Sequence, residues 1–575
     1  MNKILTFSDV WPEAAKEITT IFRWIFVVLA VYILVRCILS LLSTRATPEV
    51  WGYFLVEDGG NFALTHWENV IGRAKSSDIT IPLKTVSNTQ AILSKKKDGR
   101  WVIKDIGSTN GTVVNGVALE SNKRYIVNPG DEIVMGGVHC TIAPASLEES
   151  ANNRKMRSTD REPVAPWQIL LAITVFQAMT IVQLVLAMGE EMTIGALMSI
   201  VILCIIMWVY VSFFKAMGRK GFEMEMIAFF MSTINLAVTA SARPEDTFKQ
   251  LVAIILGIGL MIFMCIYMRD LPRTRKARPW LIGLSAGLLL VNLAFGTMKY
   301  GAVNWVSIGG MTFQPSELVK LAFVCIGAGT LEELYEKKNT YMYAAFSLFC
   351  LGCLALMGDF GTALIFFATY LVVSFLRSGD LSRMILTGVG AVVMGLMVLR
   401  FKPYIASRFA TWGHVWLDPD DGGYQQTRTM AYGAGGGLLG HGAGGGSLKY
   451  VGASDTDLVF GFVMEEWGLI IAVLLVLCLV TLTFFAVNSI VAGRSTFYTI
   501  GACGAATVFL IQTMLNIFGA VDLFPLTGVT FPFVSTGGTS MLTSWAMLAY
   551  FKAADMRKDA SLAVSKTVPE RSLDA

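Results

Sequence analysis

The chain has 575 residues, 54% hydrophobic and only 15% charged, and its 46 Lys and Arg against 42 Asp and Glu leave a net charge of +4. A water-soluble protein of this length needs far more charge to cover its surface, so a wholly soluble fold is excluded. The near balance of charge leaves no electrostatic footprint for nucleic acid.

Residues 1–23 form a short polar leader, and 24–43 an apolar run long enough to span a bilayer. No small-residue cleavage pattern follows it, so it reads as an anchor, with Arg36 snorkelling from near one end. Between 50 and 145 polar and apolar residues alternate, and Asp98-Gly99, Asn110-Gly111, Asn115-Gly116 and Pro129-Gly130 punctuate them. That pattern predicts short strands joined by tight turns, an all-β sandwich. A charged linker, 146–164, follows.

Roughly twelve apolar segments come next, at 165–188, 192–215, 223–241, 247–269, 280–298, 314–331, 341–357, 360–377, 383–401, 458–488, 496–519 and 532–554, leaving a tail from 555. The expected fold is therefore a polytopic α-helical membrane protein with an inserted β-sandwich. Lys and Arg recur in alternate loops: Arg219-Lys220, then 269–278, Lys337-Lys338, Arg377 with Arg383, Arg494, and Lys552 with Arg557-Lys558. This places those loops, the sandwich and the C-terminus in the cytoplasm, and Met1 and the insertion 402–457 outside.

The nine cysteines lie mostly in apolar runs, and Cys350-x-x-Cys353 has no second pair, so they read as small buried hydrophobes. His66, His139, His414 and His441 show no metal-ligand spacing.

In the β-rich stretch, Ile71-Gly72-Arg73, Ser76-Ser77-Asp78, Val86-Ser87-Asn88, Gly107-Ser108-Thr109-Asn110-Gly111 and Asn115-Gly116 occur in an order that resembles the forkhead-associated (FHA) domain. The resemblance implies phosphothreonine recognition at loops on one end of the sandwich. Arg73 can pair bidentately with phosphate, Ser87 with its neighbour Asn88 can donate to it, and Thr109 and Asn110 can hold the peptide backbone. The plain alternative is that the Asn-Gly pairs serve turns. Gln90 stands where the family usually has histidine.

In the membrane part three stretches stand out: Asn304-Trp305 through Gln314-Pro315-Ser316-Glu317-Leu318-Val319-Lys320; Gly423-Tyr424-Gln425 through the glycine-rich run 433–446 to Asp455-Thr456-Asp457 and Glu465-Glu466-Trp467-Gly468; and Pro525-Leu526-Thr527-Gly528 with Pro532-Phe533-Val534-Ser535 and Gly537-Gly538-Thr539-Ser540. Glu317 and Lys320 share a helix face at the start of an apolar run, either as a functional pair or as an ion pair locking helices. Asp457 lies where the outer loop returns to the membrane, placed to act on a lipid-linked substrate or to cap the next helix. The glycine-rich run suggests a flexible flap over substrate or a mobile connector.

Together these stretches, over 223–554, resemble the SEDS family (FtsW/RodA/SpoVE-like) of peptidoglycan glycosyltransferases, with the pair at 165–215 outside the resemblance. The resemblance implies polymerisation of lipid II, the undecaprenyl-pyrophosphate-linked precursor, at a bacterial plasma membrane, with Asp457 as the base that activates the acceptor hydroxyl. Cationic help for the pyrophosphate would come from Arg428, Lys449, Lys402 or Arg408, or from a divalent cation (Mg or Mn), with Glu466 a further candidate at the site. A class B penicillin-binding protein is the expected partner, along with a phosphothreonine-containing protein and the Ser/Thr kinase that modifies it. Three departures from the family pattern are Asn304 for the usual arginine, Met357-Gly358-Asp359 for Gln-Pro-Asp, and Asp455 for histidine. A lipid II flippase and a non-catalytic scaffold for phosphorylated wall-synthesis proteins are the alternative readings.

Overall fold

The computed structural model describes residues 12–43, 50–57, 59–65, 68–74, 77–95, 100–146, 164–299, 302–308, 311–331, 337–378, 381–401, 408–492, 496–555, 557 and 559–563. The first helix, α1 (Pro12–Ser43), begins well before the apolar run at 24 and takes in the polar residues Lys16, Glu17, Thr19 and Thr20. Arg36 does not simply snorkel, since its Nη2 donates to Gln168 Oε1 on the neighbouring helix.

The β-rich stretch forms two sheets. Strands β1 (Gly52–Val56), β2 (Gly60–Ala63), β7 (Thr112–Val114), β8 (Val117–Ala118), β10 (Glu132–Met135) and β11 (Val138–Pro144) lie in the order β2-β1-β11-β10-β7-β8. Strands β3 (Glu68–Gly72), β4 (Ile79–Thr80), β5 (Ala91–Lys95), β6 (Trp101–Asp105) and β9 (Arg124–Val127) make the second, β4-β3-β5-β6-β9. Residues 52, 54 and 56 of β1 and 138, 140 and 142 of β11 are buried in alternation, the period of two that the sequence carries. Phe54, Ile71, Leu93, Ile103, Ile133 and Ile142 fill the space between the sheets.

The membrane part contains α2 (Pro166–Met188), α3 (Ile194–Ala216), α4 (Glu223–Ala242), α5 (Thr247–Tyr267), α6 (Leu271–Phe295), α7 (Pro315–Thr330), α8 (Lys337–Met357), α9 (Phe360–Ser378), α10 (Leu381–Phe401), the short α11 (Tyr424–Gly436), α12 (Val459–Ala492), α13 (Thr496–Ala520) and α14 (Gly538–Ala554). Among the described residues nine helices are long and apolar enough to cross a membrane, which makes this a multi-pass membrane protein. Local chemistry sets several starts: Pro occupies the first turns of α2 and α7, and the Thr193 hydroxyl accepts from Ala196 N to cap α3. A small sheet of β12 (Thr297–Lys299), β13 (Ala302–Ile308) and β14 (Met311–Phe313) joins α6 to α7.

Helix α4 is the centre of the bundle, buried over its whole length. That explains why an apolar segment carries Ser232, Thr233, Asn235, Thr239 and Ser241: each faces protein rather than lipid. Close helix contact depends on small residues, as at Gly257 of α5, where a Cβ would lie 2.8 Å from Trp545 on α14. The added helices join this core through aromatics. Phe26 of α1 and Phe176 of α2 pack on Trp467 of α12, with ring centroids 5.0 and 5.5 Å away.

At one end of the bundle lies a buried ionic cluster. Arg557 pairs with Glu223 (3.0 Å) and Asp555 (2.7 Å), and Lys552 with Glu225 (2.9 Å). Ser40 Oγ donates to Glu223 and accepts from Val164 N, so the chain leaving for the sandwich and the chain returning from it meet at one residue.

Candidate functional site

The end of the bundle opposite the Glu223–Arg557 cluster gathers the three motif stretches around one carboxylate. Residues 453–458 form a tight turn before α12, in which the N–H groups of Asp457 (3.0 Å) and Leu458 (3.2 Å) both donate to Ala453 O. Ala453 adopts a positive φ of 62° to make the turn. Among the described residues the hydrogen-bond influence on the Asp457 carboxylate comes from Thr456 rather than from the first turn of α12.

Other elements hold the turn rigidly. Asn516 Nδ2 of α13 donates to Asp457 O (2.9 Å) and to Val529 O (2.8 Å), tying the turn to the loop 525–530. Ser535 Oγ donates to Thr456 O (2.6 Å), and Thr536 N to Asp455 O (2.8 Å). From α4, Asn235 Nδ2 donates to the carbonyls of Val534 and Ser535, both at 2.9 Å. Asp455 is itself buried and paired with Arg243 at 2.7 Å. Burial raises the Asp455 carboxyl, against the pull of Arg243. Asp455 thus fixes the turn and leaves Asp457, among the described residues, without an ion-pair partner of the kind Asp455 has in Arg243.

Asp457 is half-buried. Burial pushes its carboxyl up to about 6; Arg408 and Thr456 pull it down, while Asp455 and Asp359 add to the push. Arg408 also donates from Nη1 to Leu526 O (2.6 Å), which fixes its backbone partner in the same loop. Gly528, at φ +69°, passes so close that a Cβ there would sit 3.3 Å from Asp457 Oδ2. Gly361, at the start of α9, presses against the same loop, where a Cβ would lie 2.5 Å from Val529.

Asp359 was met in the sequence only as part of a motif departure, yet it binds the first stretch to the site. Its Oδ2 accepts from Asn304 Nδ2 and Gln314 Nε2, both 3.2 Å, and its Oδ1 from Thr362 N (3.1 Å). Asn304, the residue that replaces an arginine, therefore has a defined partner.

The remaining sequence candidates separate. Glu317 and Lys320 form a 2.8 Å pair, both buried, on α7. Arg428 pairs with exposed Asp420 (3.3 Å) and lies over the Tyr424 ring. Lys449 donates to Gly444 O (3.3 Å) and approaches Glu191 at 3.9 Å. Neither arrangement brings these cations to Asp457, and of the three described cations, Arg428, Lys449 and Arg408, only Arg408 acts on it. Lys402 lies outside the described residues. Glu466 is buried and accepts from Ser241 Oγ (2.5 Å), while Glu465 accepts from Ser447 N (2.7 Å) and Leu448 N (2.8 Å). These two carboxylates anchor the glycine-rich segment.

That segment is not a free flap. It wedges into a break in α12 at Gly468 (φ 86°), where Leu469 N donates to Gly437 O at 3.0 Å. A Cβ at Gly436 would meet Met464 O at 2.3 Å, and one at Gly440 would meet Glu466 O at 2.2 Å. Backbone-to-backbone packing, not flexibility, is what these glycines supply.

In the sandwich, Arg73, Ser87, Asn88, Thr109 and Asn110 do converge. Arg73 Nη2 donates to Asn88 Oδ1 (3.2 Å), Thr109 N donates to Ser87 Oγ (2.9 Å), and Asn110 Nδ2 donates to Thr85 O (2.6 Å). Gln90 takes over a buttressing role. Its Oε1 accepts from Ser87 N (2.9 Å) and its Nε2 donates to Gly111 O (2.7 Å), so one fully buried amide joins both recognition loops. Ser76 lies outside the described residues.

The family model for FtsW/RodA/SpoVE, described as cell cycle protein, matches residues 221–559, and the FHA domain model matches 69–136. A probable peptidoglycan glycosyltransferase FtsW of Pseudoalteromonas translucida is 32% identical over 308 residues, covering 50% of this chain and 75% of that protein. One of Moranella endobia is 30% identical over 342 residues, covering 57% and 88%. Among solved structures, a peptidoglycan synthase complex described by its coordination of polymerization and crosslinking aligns with TM-score 0.47 at 25% identity, over 58% of this chain and 97% of that one. The rod shape determining protein RodA of Thermus thermophilus aligns with TM-score 0.43 at 23% identity, over 58% and 97%. The chain belongs to the FtsW/RodA/SpoVE family and carries an FHA domain in addition.

Proposed function

We propose that this family member is a peptidoglycan glycosyltransferase that polymerises lipid II, with Asp457 as general base. Peptidoglycan glycosyl transfer is the activity named for its relatives. The observation that carries the residue assignment is the convergence of all three motif stretches on Asp457, whose carboxyl is pushed up to about 6. A base with a pKa near the working pH is ionised enough to act and basic enough to take a proton in the transition state. The acceptor sugar hydroxyl gives its proton to Asp457 as its oxygen bonds to the donor anomeric carbon. The bond from that carbon to the lipid diphosphate breaks, and the diphosphate leaves. Arg408, the cation that faces Asp457, offsets charge at the opening.

The donor set does not fit a resident metal ion. Among the described residues no three His, Cys, Asp or Glu side chains converge, and Asp359 and Asp455 are engaged by Asn304, Gln314, Thr362 and Arg243. No step is routed through a metal, and the expected Mg or Mn requirement is tested with chelator in the assay below. The buried Glu317–Lys320 pair is read as a structural ion pair within α7.

The FHA domain is read as a cytoplasmic phosphothreonine receptor that tunes the membrane enzyme, with Arg73 and Ser87 on the phosphate. Alternating Lys and Arg in the loops supports that orientation. A class B penicillin-binding protein as partner fits the crosslinking named for the synthase complex. A flippase would instead present charges along a central path, and a scaffold would not need a preserved carboxylate at the membrane boundary.

The test is glycan synthesis from purified lipid II by the full chain, alone and with a class B partner, with and without chelator. Wild type should make polymer and Asp457→Asn none. Polymer from Asp457→Asn at the wild-type rate rejects the base assignment.

A further inference from the structure

A cavity of about 330 Å³ lies between the polar start of α1, the end of α2 and the glycine-rich segment, lined among others by Lys16, Thr19, Arg23, Gln183, Leu186 and His441. Residues 16, 19, 20 and 23 recur at the spacing of one helix face, as do 183, 186 and 187 on α2. His441 enters from a segment pinned to α12, its own N–H donating to Glu465 O (2.9 Å) and that of Gly442 to Glu466 O (2.8 Å). The cavity is therefore on the same side of the bundle as Asp457, yet two of its three walls lie outside the stretch matched to the family, 221–559.

Its chemistry is that of an anion receptor. Lys16 and Arg23 bring two fixed positive charges and His441 an imidazole, and no carboxylate lines the cavity among the described residues. Two of its lining residues each carry a polar atom buried without a hydrogen-bond partner: Arg23 Nε and Gln183 Oε1, the latter on a side chain only 2% exposed. A buried guanidinium N–H without an acceptor is costly, and a turn of the Arg23 side chain toward an anion in the cavity would relieve it. The Gln183 amide, free to turn, can present its NH2 to the same ligand. Thr20 already donates to Lys16 O (2.9 Å), which leaves Thr19 as the hydroxyl donor. Trp24, next to Arg23 and 60% exposed, is the kind of side chain that settles at the headgroup level, and Val28, one turn on, is 65% exposed to the lipid zone. Leu186 and Ala187 give the cavity an apolar flank.

We propose that this cavity binds the phosphate group of a membrane lipid. Bound there, the lipid would bridge the added helices α1 and α2 to the segment that leads into the 453–458 turn. The proposal is independent of the catalytic assignment.

The test uses the detergent-solubilised full chain and native mass spectrometry, with phosphatidylglycerol, undecaprenyl diphosphate, diacylglycerol and inorganic phosphate as probes. Wild type should retain a phosphate-bearing lipid at least tenfold better than Lys16→Ala/Arg23→Ala, and should not retain diacylglycerol. Lys16→Arg/Arg23→Lys, which keeps both charges, should retain it, separating loss of the site from loss of the fold. Preference for phosphatidylglycerol identifies a bilayer lipid, and preference for undecaprenyl diphosphate a carrier lipid; either supports the proposal. Equal retention by wild type and the alanine variant, equal retention of diacylglycerol, or inorganic phosphate binding as tightly as the lipids overturns it.

Discussion

Removing the Arg408 charge should move the acid limb of the activity profile. In the wild type the Asp457 carboxyl is pushed up to about 6, with Arg408 the largest influence holding it down. Arg408 lowers the Asp457 carboxyl, so Arg408→Gln should raise the limb, and a nearby opposite charge typically shifts a carboxyl by about one unit or more. With one unit, the ionised fraction at pH 7 falls from about nine-tenths to about half, and at pH 6 activity falls about fivefold from ionisation alone. A drop in the high-pH plateau should accompany this, since Arg408 also offsets charge as the diphosphate leaves. Arg408→Lys should restore most of the limb position but less of the plateau. The measurement is initial rate of lipid II polymerisation from pH 5 to 9 for the three proteins. A variant with an unmoved limb and a uniformly lowered rate would show that Arg408 acts only through its bond to Leu526, and would refute its electrostatic role.

Gly528→Ala should place a methyl group 3.3 Å from Asp457 Oδ2 on a backbone at φ +69°; the strain should lower stability by about 1–2 kcal/mol in thermal unfolding, and crowding of the carboxylate should slow turnover in the same polymerisation assay. Arg243→Ala should leave Asp455 buried without its cation and lower stability by about 1–3 kcal/mol, discounted for the partial exposure of Arg243; Arg243→Ala/Asp455→Asn should recover part of the loss in thermal unfolding. In the FHA domain of the full chain, Arg73→Ala should weaken phosphothreonine-peptide binding by about a hundredfold or more. Gln90→Ala should weaken it less, because it removes a buttress and strands Ser87 N and Gly111 O, at about 1–3 kcal/mol; fluorescence anisotropy with labelled peptide separates the two. Glu317→Gln/Lys320→Met should be more stable than either single variant, since each single change strands a buried charge, and if polymerisation survives in the double variant the pair is structural.

Much of this molecule is written in local pattern. Runs of apolar residues specify spanning helices because the bilayer leaves backbone polar groups no other partner. Alternation with Gly-rich turns specifies the sandwich, and a positional order of short motifs specifies both families. Asp457, Arg73 and Ser87 could be picked out because charged or phosphate-binding groups at membrane boundaries and loop tips have few purely structural uses. A signal for Asn235 and Asn516 was also present, as an amide inside an apolar helix usually has a partner waiting.

What the sequence could not decide is which polar groups belong to which partner. Arg428, Lys449 and Arg408 are all cations of one outer stretch, and only the folded chain turns the first toward Asp420, the second toward Gly444 and Glu191, and the third toward Asp457. Asp455 and Asp457 are two residues apart, yet one is buried against Arg243, 212 positions away, while the other answers to Arg408. The glycines of 433–446 looked like freedom and are in fact close contacts with a helix broken at Gly468. The composition of a segment determines whether it enters the membrane or pairs in a sheet, because those are local free energies. Pairing, burial and the pKa of a carboxyl depend on long-range neighbours, and only tertiary packing brings those within reach.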